Sequence, residues 1–176
     1  MAKASRSGRS PRAGAGRAVA PRPVDEFILR LALPPRPDFD DLSRAVEALY
    51  GRPLRFKEIH GAALHAATGI VFDAATFTGV MVPAEDSKYY SLLSRVHELC
   101  HLIIRSAPDV WFSPQLSRPR QPAQQSRLFL RICPRNSSES VDAETVREEK
   151  LVEQMARSLM RRLRVFADSP EEDHFA

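Results

Sequence analysis

At 176 residues and 19.8 kDa, with 43% apolar residues, the chain has the length and composition of one soluble domain that can bury a core of its own. No apolar run approaches the roughly 18 residues needed to span a bilayer, and the basic start lacks the apolar core of a secretory signal, so a cytoplasmic protein is expected. The formal charge of +4 is uneven: residues 1–24 hold Lys3, Arg6, Arg9, Arg12, Arg17 and Arg22 and no acid, which leaves the remainder near −2.

That basic stretch, rich in Ala, Gly, Pro and Ser, reads as a solvated, disordered leader. Its charge would attract nucleic acid weakly, but it has no aromatic residue to stack on a base. Pro21, Pro23, Pro34, Pro35 and Pro37 punctuate the approach to the domain, expected over 25–167. Between them residues 27–33 are apolar but too few for periodicity to separate helix from strand. Asp38 then offers an N-cap, Leu42, Ala45, Val46 and Leu49 recur at helical spacing, and Gly51 supplies the stop, predicting a helix over 39–50. Residues 54–59, 69–73 and 77–82 read as strands, the last two joined as a hairpin through Ala74, Ala75 and Thr76. Pro83 would end the third. The expectation is an α+β fold with a small, mostly antiparallel three-stranded sheet.

The next helix, expected over 87–105, carries the chemistry. Leu92, Val96, Leu99 and Ile103 form one stripe, widened by Leu93, Cys100 and Ile104, so this helix should be central and buried. Within it His97-Glu98-Leu99-Cys100-His101 is a His-Glu-x-x-His sequence, the arrangement by which zinc peptidases hold a metal and activate water. One turn apart, the imidazoles of His97 and His101 project from one face, and Glu98 lies beside them as the candidate general base. Cys100 is three residues beyond His97 and reads as a small packed residue rather than a thiolate ligand. With Cys133 it makes no disulfide framework.

From 106 to 141 five prolines and a serine cluster interrupt the pattern, as in a long insertion or lid, with only 128–132 suited to a short strand and with Trp111 and Phe112 as candidate anchors. Asp142 can cap a last helix, with Glu144 in its first turn and Val152, Met155, Ala156, Leu159, Met160, Leu163 and Phe166 on its buried face. Residues 168–176 form an acidic tail in which His174 has no role.

Two histidines need a third protein ligand. Glu144, Glu148, Glu149 and Glu153 are the candidates, and a helical wheel puts Glu148 and Glu149 on opposite flanks of the buried stripe without choosing between them. Tyr89, Tyr90 and His65 are candidate oxyanion donors, each more simply structural, and His60 reads as a packed or surface residue.

The arrangement resembles the ImmA/IrrE family of small metallopeptidases, whose typical sequence is His-Glu-Leu-Gly-His followed by Glu-x-x-Ala-Asn-x-Phe-Ala-x-x-Leu-Leu. Here the first motif is His97 to His101, and the second aligns from Glu149 through Val152, Ala156 and Met160. The likeness covers about residues 38–165; Cys100 stands for the usual Gly, Val152 for Ala, and the 106–141 segment is long. The resemblance implies a zincin-like fold and Glu149 as the third ligand of a Zn²⁺ (or Mn²⁺) site. It also implies cleavage of a regulatory protein, a DNA-binding repressor or an antitoxin-like partner. The alternative is a partner-binding module of toxin–antitoxin type that holds zinc and cleaves nothing.

Overall fold

A computed structural model describes residues 23–61, 67–112, 130–134 and 142–163. Residues 1–22 of the basic leader, His65, most of the expected insertion, and everything beyond Leu163, including Phe166 and the acidic tail, lie outside the described residues. Pro23 and Val24, expected as the end of the leader, instead open the first helix with Val24 buried, so the folded part starts before residue 25. The described chain is α+β. In order it forms α1 (Pro23–Leu29), α2 (Phe39–Tyr50), β1 (Leu54–Ile59), β2 (Ala67–Asp73), β3 (Thr78–Pro83), α3 (Lys88–Ser106), β4 (Leu130–Pro134) and α4 (Ala143–Arg162). A 3-10 turn, Asp109–Trp111, follows α3. No helix among these residues is long and apolar enough to cross a membrane.

Local chemistry accounts for most of the boundaries. Asp38 and Asp41 form a capping box at the start of α2, with N···O distances of 2.8 and 3.1 Å. Gly51 closes that helix at φ 75°, its N–H donating to the Glu47 carbonyl, a conformation that costs glycine little. The Glu47 carboxylate also accepts from the Leu54 N–H at 2.7 Å, tying α2 to the head of β1. Ser87 caps α3 and Asp142 caps α4, the latter accepting from the Glu144 and Thr145 N–H groups at 2.9 Å each. Pro108, unable to continue the ladder of α3, follows its last turn.

The strands lie in the order β1-β3-β2-β4. β2 and β3 are the expected antiparallel hairpin, Ile70 opposite Met81. β1 pairs with β3 in parallel, Leu54 opposite Thr78 through Ile59 opposite Pro83, so the sheet is mixed. β4 adds a strand on the outer side of β2, antiparallel. It falls within the expected insertion, two residues along from the 128–132 stretch expected as a short strand, and its pairing with β2 adds a fourth strand to the three expected. The hairpin turn is held through Asp73, whose carboxylate accepts from Thr78 Oγ1 at 2.6 Å and from the Tyr50 hydroxyl at 2.9 Å. Burial, then the bond to Asp73, pushes the Tyr50 phenol up to about 12.

α3 runs through the centre, touched by α2, α4, β2 and β3. Val96, Leu99, Leu102 and Ile103 are fully buried, each such side chain contributing about 1.5–3 kcal/mol. Its first half is tied to the sheet by Glu58 on β1, which accepts from Ser91 Oγ at 3.0 Å and Arg95 Nη2 at 2.7 Å. Of the apolar segment 27–33 that periodicity left undecided, only Phe27 to Leu29 is helical, as the last turn of α1, which packs on α4; the chain turns at Arg30 and Leu31. Ser158 Oγ of α4 donates to Asp25 at 2.5 Å, while Phe27 meets Trp111 and Phe112 edge-on at 5.4 and 5.2 Å. The two anchors beyond α3 therefore close over α1.

Candidate metal centre

Helical spacing brings the two imidazoles of α3 together. His97 and His101 have ring centroids 5.0 Å apart, and their Nε2 atoms are 3.3 Å apart. α4 crosses α3 at this level and contributes Glu149, with Oε2 3.4 Å from Nε2 of His97 and Oε1 3.5 Å from Nε2 of His101. The donor atoms of His97, His101 and Glu149 form a group able to hold a metal ion, all within 4.8 Å of one another. Tetrahedral ligands about 2.0–2.1 Å from a zinc ion stand roughly 3.3–3.4 Å from each other. The 3.3 Å between the two Nε2 atoms matches such an edge, Glu149 turns one oxygen toward each imidazole at a comparable distance, and the two-imidazole, one-carboxylate donor set suits a borderline-soft divalent cation. The residues present fit the ion.

Glu98 stands outside that group. It is fully buried and turned onto β2, where a Cβ built on Gly69 would meet its Cγ and Oε1 at 2.8 Å. Gly69 is thus required by close approach. Its part could have been suspected from an isolated glycine within a strand pattern, but only the packing of α3 on β2 shows which side chain needs the room.

The other glutamates separate cleanly. Glu148 lies on the far side of His101, its Oε1 2.9 Å from Nδ1. Glu153 is exposed and pairs with Arg157 at 2.8 Å, and Glu144 sits in the capped first turn of α4. Cys100 is fully buried and outside the donor group. Burial, with a smaller effect of the nearby Glu98 charge, drives its thiol well above the usual range, so it stays protonated and packs.

Beside His97 and Glu149 runs a cleft of about 540 Å³ between α3 and α4, its lining including Tyr90, Leu93, Val146, Lys150 and Ala156. Of the candidate oxyanion donors, Tyr90 borders this cleft, and the Tyr89 ring packs edge-on against the Tyr90 ring at 5.5 Å. His60 faces Glu85 at the surface, 3.1 Å away. No sequence pattern marks the grouping of Glu58, Ser91 and Arg95, because it joins a strand to a helix more than thirty residues away. In comparisons with known proteins, no family model, curated protein or solved structure matches the chain.

Proposed function

We propose that the chain is a zinc-dependent metallo-endopeptidase of the ImmA/IrrE type, with a zincin-like fold, that acts in the cytoplasm on a regulatory protein such as a repressor or an antitoxin-like partner. The observation that carries this reading is the convergence of His97 and His101, one turn apart on α3, with Glu149 from α4. These three residues would hold Zn²⁺, with Mn²⁺ as the other candidate. Held there, the ion would acidify a water molecule and polarise a peptide carbonyl.

The chain's own groups supply the rest. Glu98, next to a ligand but outside the ligand set, receives a proton from the attacking water at its carboxylate and returns it to the leaving amine. Packing on Gly69 limits where that carboxylate can go, which serves a base that must be held in place. The cleft beside His97 and Glu149 offers a largely apolar surface, with Leu93, Val146 and Ala156, along which a peptide segment can lie and exclude water.

The test compares protein N-termini in cells producing wild-type chain or Glu98→Gln. The variant should retain zinc while the new termini seen with wild type disappear, a loss of about 10²-fold or more in rate. Identical termini in the two cultures would refute peptidase action. That outcome, with zinc still bound, would establish the second reading, a zinc-holding regulatory module; the complete burial of Glu98 is the observation in its favour.

A further inference from the structure

α4 offers consecutive carboxylates to one imidazole. Glu149 Oε1 is 3.5 Å from Nε2 of His101, and Glu148 Oε1 is 2.9 Å from Nδ1 of the same ring. The ring is almost wholly buried, at 3% exposure, so little solvent competes for either nitrogen. A neutral imidazole carries one N–H; the nitrogen that offers its lone pair to a cation leaves the hydrogen on the other. If Nε2, which faces His97 and Glu149, is the ligand atom, Nδ1 must be the donor. Its separation from Glu148 is that of an ordinary N–H···O bond.

We propose that Glu148 is a positioning residue of the metal centre: it holds His101 as the Nδ1–H tautomer, with the ring turned so that Nε2 points at the site. This assignment rests on the reading of His97, His101 and Glu149 as metal ligands. The geometry argues against two simpler roles. As a ligand Glu148 would have to share the Nε2 side of the ring, and it lies on the Nδ1 side. As a dipole-complementing surface acid it would belong in the first turn and point to water, yet it is the sixth residue of α4 and its side chain is only 20% exposed. Adjacent residues on a helix are separated by about 100°, so where α4 crosses His101 one glutamate reaches each side of the ring. A hydrogen-bonded carboxylate behind a ligand histidine fixes its orientation and raises its basicity, and removing such a partner typically costs about 10–100-fold in metal affinity.

The experiment measures zinc affinity of the full chain by competition with a chromophoric chelator, together with the visible spectrum of the cobalt(II)-loaded protein. Glu148→Ala should bind zinc about 10–100-fold more weakly, with an altered cobalt spectrum, while the metal-free chain keeps a cooperative melting transition. Glu148→Gln keeps an oxygen acceptor for Nδ1–H and should recover part of the loss. Glu148→Asp keeps the charge but falls short of the ring and should behave like the alanine variant; it also carries the test if the alanine variant does not fold. Wild-type affinity in Glu148→Ala or in Glu148→Asp overturns the assignment while leaving the metal centre intact. Failure of the wild-type chain to take up zinc overturns the metal-site reading and this inference with it.

Discussion

At position 69 a single methyl group decides where Glu98 can stand. The Cβ of an alanine there would lie 2.8 Å from Cγ and Oε1 of Glu98, closer than van der Waals contact permits. β2 is paired on both sides and cannot retreat, so the glutamate must move. Under the proposed mechanism Gly69→Ala should lower the cleavage rate by about 10- to 100-fold through the displaced base. Zinc affinity should be nearly unchanged, because Glu98 is outside the ligand group. Parallel measurement of turnover and zinc binding checks this; equal losses in both would show that the glycine serves the whole site. At this scale the His97, Glu98 and His101 spacing was readable in the sequence, because one helix with a known turn sets it. The placement of Glu148 and Glu149 about the imidazoles was not readable from periodicity, since a helical wheel puts both on the flanks of the buried stripe. The crossing of α4 over His101 puts Glu149 on the Nε2 side of the ring and Glu148 on the Nδ1 side.

Among the elements, α1 depends on its neighbours for its conformation. A helix of seven residues is too short to persist alone in water. It is held by Asp25 against Ser158 and by Phe27 against Trp111 and Phe112. Phe27 is 1% exposed, and Phe27→Ala should destabilise the fold by about 3–5 kcal/mol. Trp111 is the chain's only tryptophan, so the same variant should shift its fluorescence to the red. Chemical unfolding followed by that fluorescence tests both; a loss below about 1 kcal/mol would mean that α1 contributes little to the core. α2 and α4 were legible because Asp38, Gly51 and Asp142 are local signals, and α3 because Leu92, Val96, Leu99 and Ile103 recur at helical spacing. The helical state of α1, the parallel β1–β3 pairing and the addition of β4 depend on contacts far along the chain.

For the whole molecule, the candidate centre joins α3 to α4, helices separated in sequence by the 107–142 segment. A cation bound only by the folded chain stabilises it by mass action, by about 2.7 kcal/mol at a free concentration one hundred times Kd. Zinc should therefore raise the melting temperature, a chelator should reverse the rise, and His101→Ala should abolish the response. A melting curve indifferent to zinc and chelator would remove the metal from the account. The sequence by itself determined the α+β class, the capped helices, the buried central helix and the two imidazoles on one face. Each follows from residue periodicity or a local hydrogen bond within a few positions. Only the tertiary structure decided which glutamate completes the donor group, which one lies behind His101, and which glycine yields space to Glu98. Those outcomes depend on how α4 and β2 pack against α3, a matter of side-chain volume and crossing geometry that no local pattern encodes.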